Sequence, residues 1–155
     1  MKIFVEQLVP DSAMAEACCQ RIIARVLRAE GYAGYSLTLV LADSAYLRRL
    51  NRRFRRIDRA TDVISFSLQE GPPSPVAVPE LGDIYISVPR ARRQARQYRV
   101  TPQEEMARLI IHGVLHLLGY DHIRARQARA MHALEDLYLG SCRGQLRPGP
   151  GAGAR

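Results

Sequence analysis

A chain of 155 residues, 47% of them hydrophobic, is long enough to bury one sizeable core and too short to divide comfortably into two domains. Its formal charge of +8 rests almost wholly on arginine, since Lys2 is the only lysine, and arginine's planar fork of donors suits phosphate; a polyanionic partner fits, although genomic base usage also produces such a composition. The longest nearly uncharged stretch, Leu109 to Tyr120, falls short of the roughly 20 residues a membrane-spanning helix needs, the N-terminus lacks a secretory h-region, and three cysteines without a C-x-x-C pair suggest neither a disulfide framework nor a thiolate zinc site.

Lys2 to Leu8 alternates apolar and polar residues as a half-buried strand does, and Pro10, Asp11 and Ser12 break it and offer caps for a helix. Met14, Cys18, Ile22 and Val26 then recur every fourth residue, giving a helix with one apolar face that ends near Gly31 and a Cys18 that belongs in the core. Tyr35 to Ala42 reads as a second strand, and Asp43-Ser44 can cap a helix whose inward positions are Leu47, Leu50 and Phe54. Two more strands follow, Asp62 to Leu68 and Asp83 to Val88. Between them Gln69 to Glu80, with Gly71 and four prolines, reads as a hairpin-like loop.

Arg90 to Arg99 has the look of a short basic helix. The next helix announces itself through Thr101 as N-cap, Pro102 at the first helical position and Glu104 closing a capping box, and should run to about Leu118. A last helix from Arg124 to Leu139 places Met131, Leu134 and Tyr138 on one side, and the Gly/Pro/Arg-rich residues 141–155 read as a disordered tail beyond a single domain of residues 1–140. Strands and helices interleave without a regular βαβ repeat. The expected fold is therefore α+β: a small mixed four-stranded sheet packed with about five helices, the histidine-bearing helix central.

Three of the four histidines fall within His112-Gly113-Val114-Leu115-His116-Leu117-Leu118-Gly119-Tyr120-Asp121-His122. Residues four apart lie one turn above each other, so His112 and His116 can present two imidazoles to one zinc ion. Gly119 can turn the chain sharply, and His122 can swing back as third ligand, leaving a fourth position open as catalytic sites do. A lone histidine on an apolar helix is more often a satisfied core residue; three together, on a helix apolar nearly all round, reverse that preference. The spacing equals that of the metzincin signature H-E-x-x-H-x-x-G-x-x-H, but Gly113 stands where that signature has its general base. Ordinary zinc peptide hydrolysis thus loses its base, unless Glu105, Asp121 or the substrate itself takes the proton. Asp121 can instead orient an imidazole or cap a turn, and His132, off the apolar stripe, is left out of the site.

The segment His112 to His122 resembles the bacterial YbeY family of endoribonucleases and ribosomal-RNA maturation factors, as do Leu50-Asn51-Arg52-Arg53-Phe54-Arg55, Thr61-Asp62-Val63-Ile64-Ser65-Phe66 and Leu81-Gly82-Asp83-Ile84-Tyr85-Ile86-Ser87. The resemblance spans roughly Leu41 to Leu139. Arg59-Ala60 and Ser67 stand where the family often has proline. The resemblance implies a single-strand-specific, metal-dependent endoribonuclease of the cytoplasm that acts in 3′-end maturation of the small-subunit (16S) ribosomal RNA and in ribosome assembly and quality control. It implies one Zn2+ held by His112, His116 and His122, Arg55 and His112 as catalytic residues, and single-stranded ribosomal RNA, the small ribosomal subunit and its assembly proteins as partners, with no DNA and no membrane. Two other classes remain: a zinc-dependent peptide hydrolase, and a non-enzymatic assembly factor with structural zinc.

Overall fold

The computed structural model describes residues 2–56, 61–68, 79–120 and 124–146. Its elements run β1 (Ile3–Gln7), α1 (Glu16–Ala29), β2 (Ser36–Ala42), α2 (Ser44–Arg55), β3 (Val63–Ser67), β4 (Glu80–Ser87), α3 (Val88–Tyr98), α4 (Pro102–Leu117), α5 (Ala125–Cys142) and a 3-10 turn, η1 (Arg143–Gln145). The four strands form one mixed sheet in the order β1-β2-β4-β3, with β1 and β4 parallel to β2 and β3 antiparallel to β4. This is the α+β architecture expected, with five α-helices.

One face of the sheet carries the main core. Leu37, Leu39 and Leu41 of β2 and Ile84 and Ile86 of β4 alternate onto that face and pack against Ile22, Ile23 and Val26 of α1 and Ile110, Val114 and Leu115 of α4. Cys18, Cys19 and Cys142 lie in this core as free thiols, and burial pushes the Cys19 thiol up to about 12, with Cys18 beside it adding to the shift. Among the described residues the opposite face is covered by α2, over a small cluster of Ala42, Leu47 and Ile64.

Central strand β4 changes phase along its length. Ser36 pairs with Glu80 but Thr38 pairs with Asp83, so β4 holds one residue more than β2 across that step. Gly82 occupies the irregularity with φ of +140°, and a Cβ there would stand 2.0 Å from the Phe66 carbonyl oxygen. The bulge lets Leu81 and Ile84, three residues apart, both enter the main core. An alternation rule cannot see this, which is why the strand expected from Asp83 begins at Glu80.

Other expectations need adjustment. α1 is capped at Ala15 with no side-chain bond; Asp11 instead pairs with Arg92 at 2.9 Å and Ser12 bonds the Met14 carbonyl. Phe54, expected to face inward, is 58% exposed, because this end of the helix passes the rim of the sheet at edge strand β3; Asn51 is buried one turn earlier, while Phe54 meets Phe66 edge to face and carries the Arg53 guanidinium 5.3 Å over its ring. Thr101 does cap α4, accepting from the Glu104 amide at 3.1 Å, but the Glu104 carboxylate turns to Arg143 at 2.8 Å instead of closing a capping box. α5 and η1 run beyond Leu139, so residues 141–146 are structured where the tail was expected: Arg25 donates to the Ser141 carbonyl and to Gln145, and Cys18 to the Gln145 carbonyl. Residues 147–155, and 69–78 of the Pro-rich loop, lie outside the described residues, though β3 and β4 pair as a hairpin should.

Candidate active site

Helix α4 is pressed between α1, α5 and the sheet, and ten of its sixteen residues are buried. The helix ends as its sequence demands. Gly119 takes a φ of +99° and donates to the His116 carbonyl, and the Tyr120 amide returns to Leu115 at 3.1 Å. His112 and His116 keep part of their rings accessible, one turn apart, with ring centroids 4.6 Å apart at an interplanar angle of 74°.

Behind this pair stands a carboxylate that the sequence reading missed. His112 Nδ1 lies 2.5 Å from Glu135 Oε1, and Glu135, on α5, is only 5% exposed. Burial pushes its carboxyl up, but the hydrogen bond from His112 and the positive fields of His112, His132 and Arg108 outweigh that, leaving it below its ordinary value. An ionised carboxylate only accepts, so Nδ1 is the protonated nitrogen that faces Glu135 and Nε2 lies on the side of the ring away from it. A signal did exist: Glu135 falls four residues after Met131 and three before Tyr138, on the inward stripe of α5. His132 is exposed and reaches only the other oxygen of Glu135, at 3.4 Å.

The odd glycine of the motif has a packing explanation. A Cβ on Gly113 would stand 2.7 Å from Ile84 Cγ2, so position 113 faces the sheet and α4 lies directly upon β4. A glutamate there would point into the core, away from the histidines. Glu105 is no substitute base. It is 1% exposed, two turns before His112, and both its oxygens are taken by Arg108, at 2.9 and 2.6 Å.

A second carboxylate organises the turn after α4. Glu30, the C-cap of α1, accepts from Tyr120 Oη at 2.6 Å and from Tyr138 Oη of α5. The hydrogen bond to Glu30, with burial and the Glu30 charge, pushes the Tyr120 phenol up to about 12; burial and the same partner raise Tyr138. Three helices thus meet at one anion.

Arg55 closes α2 on the other side of β3. It donates to the Ser65 carbonyl at 3.0 Å, its guanidinium carbon 5.8 Å from the Phe66 ring centroid, while Ser65 Oγ bonds the Gly113 carbonyl at 3.3 Å. One edge-strand residue therefore ties Arg55 to the turn of α4 that carries the histidines. His122 and Asp121 lie outside the described residues, so of the three expected ligands the structure brings two together. Among the described residues no three ligand-type side chains converge.

Paired imidazoles on a buried helix, one fixed by a carboxylate, set on a mixed sheet beside an arginine-rich helix, have the make-up of a hydrolytic centre for an anionic substrate. The family model described as endoribonuclease YbeY matches residues 5–143, and the chain belongs to that family. An endoribonuclease YbeY of Pelotomaculum thermopropionicum is 42% identical over 146 residues, covering 90% of this chain and 96% of the relative. Another, of Myxococcus xanthus, is 50% identical over 110 residues; these are 69% of this chain but 36% of that longer relative. In fold, the chain matches a Thermotoga maritima protein solved in solution, with a TM-score of 0.65 at 23% identity over 94% of this chain and 91% of that one. Among the described residues no helix is long and apolar enough to cross a membrane.

Proposed function

We propose that this chain is a metal-dependent, single-strand-specific endoribonuclease acting in 16S rRNA 3′-end maturation and in ribosome assembly and quality control, with one zinc ion held by His112, His116 and His122. Membership of the family supports the cutting of RNA. The observation that carries the metal site is the Glu135–His112 bond, because a carboxylate on Nδ1 is the usual orienting partner of a metal-binding imidazole and leaves Nε2 as the ligand atom. The donor set fits zinc, which favours imidazole nitrogens. Bound there, zinc supplies Lewis acidity toward a phosphoryl oxygen and toward water.

The chain's own residues do the rest. Glu135 fixes the tautomer and rotation of His112. Arg55, held by Ser65 and Phe66, offers its remaining donors to the non-bridging oxygens of the phosphodiester as charge develops there. Gly113 keeps α4 against the sheet at the cost of a base in the motif, which disfavours the peptide hydrolase. Arg49, Arg52 and Arg53 of α2, Arg93 and Arg96 of α3 and its C-cap Arg99 are exposed and supply salt-dependent attraction for flanking phosphates.

The test incubates metal-loaded protein with labelled single-stranded ribosomal-RNA fragments, beside His116→Ala and a chelated sample, after removal of contaminating nucleases. Cutting that vanishes in both controls is expected. Well-folded, zinc-replete protein that leaves the RNA intact would transfer the proposal to a non-enzymatic assembly factor.

A further inference from the structure

The outer face of α1 and the neighbouring strand β1 frame an open groove of about 1240 Å³ that the site above does not use. Lys2, Arg21, Arg25 and Arg28 line it, with Gln20 and Gln145, and among the described residues no carboxylate does. The three arginines stand at spacings of four and three residues, one row along a single helix face about 10 Å long. Among the described residues none of these four cations pairs with an acid. Gln20 Nε2 covers the Ile3 carbonyl at 3.1 Å, removing an acceptor of the edge strand, so the polar lining is dominated by donors. Arg25 spends part of its fork on Ser141 and Gln145; no bond within the described residues engages the side chains of Arg21 or Arg28.

A row of like charges with no counter-charge repels itself and is relieved by an anion that follows the row. The groove lies at the β1 end of the sheet, whereas Gly113 seats the histidine helix over β4, about 10 Å away across two strand spacings, and Ser65 of β3 holds it from the far edge. We infer that this groove is a second binding site for the phosphodiester backbone of single-stranded RNA, holding the part of the strand that extends beyond the histidines. This rests on the reading of RNA as the substrate. A continuous polyanion fits the row better than an acidic peptide, because guanidinium forks at one-turn intervals match repeated phosphates, each taken bidentately.

The test measures binding of fluorescent long and short single-stranded RNAs by anisotropy, to chelated full-length protein, over a salt series. Arg21→Gln with Arg28→Gln is the groove variant, Arg25 being kept for its hold on Ser141. Arg126→Gln with Arg129→Gln on α5 removes equal charge elsewhere. The groove variant should bind the long RNA about tenfold more weakly at low salt, with the slope of log affinity against log salt shallower by about 1.4. Short-strand affinity and the control should stay within about twofold. An unchanged groove variant overturns the inference, as does equal loss in the control, or competition by polyglutamate in the absence of any effect on RNA. If the double variant melts early, Lys2→Gln with Arg28→Gln takes its place. Wild-type protein that binds no single-stranded RNA would bring down the substrate reading itself, a distinct result from RNA binding that ignores the groove.

Discussion

Restoring the glutamate that the metzincin spacing expects should destroy the fold instead of improving catalysis. In Gly113→Ala the new Cβ meets Ile84 Cγ2 at 2.7 Å, with Cδ1 and Cγ1 at 3.3 and 3.4 Å, and both partners belong to well-packed elements. Overpacking of this kind costs about 1–3 kcal/mol, against a gain of about 1 kcal/mol from replacing glycine inside a helix. The net expectation is a loss of about 0–2 kcal/mol. Gly113→Glu adds a carboxylate with no partner in the core, which costs several kcal/mol more and approaches the roughly 5–15 kcal/mol that holds a domain together. Urea denaturation followed by far-ultraviolet circular dichroism measures both. The expected order is wild type, Gly113→Ala, then Gly113→Glu, the last largely unfolded without denaturant. A Gly113→Glu protein within about 1 kcal/mol of wild type at equal denaturant slope would refute the packing account.

Glu135→Gln keeps the shape behind His112 but removes the charge, so zinc affinity measured by competition with a chromophoric chelator should fall about 10–100-fold; unchanged affinity would remove Glu135 from the site. Arg55→Ala should lower the cleavage rate about 100–1,000-fold while RNA affinity falls far less, and parallel loss of both would make Arg55 a binding residue only. Alkaline pH should loosen the Glu30 cluster: because Tyr120 titrates at about 12 when folded, against an ordinary phenol near 10, its contribution is intact below pH 10 and is lost as pH climbs toward 12. Denaturation midpoints over that range should fall steeply in wild type and less in Glu30→Gln, and identical slopes would contradict the role given to Glu30.

Much of this architecture was legible because local signals agreed with tertiary ones. α4 is announced by Thr101, Pro102 and Gly119, and its all-round apolar composition says that it is buried before any contact is known. The parts that escaped the sequence are those where a long-range contact overrides a local pattern. The Gly82 bulge breaks the alternation by which β4 would be read, and the sheet simply ends where Phe54 would have been covered. Glu30 and Glu135 look like ordinary polar residues of amphipathic helices, because the tyrosines and the histidine that justify their positions are 90, 108 and 23 residues away. The two helix histidines were readable from spacing, their orienting carboxylate only from the inward stripe of α5.

The placement of Glu135 on α5 also sets an order of events. As the chain is made from its N-terminus, α4 is finished with both of its imidazoles while the carboxylate that fixes His112 has yet to be translated. A nascent chain stopped before α5 owns the histidines but lacks the Glu135 carboxylate that faces Nδ1 of His112, and lacks the Tyr138 hydroxyl that ties α5 to Glu30. An endoribonuclease synthesised in the company of ribosomal RNA would thus acquire an organised centre only after its last helix docks.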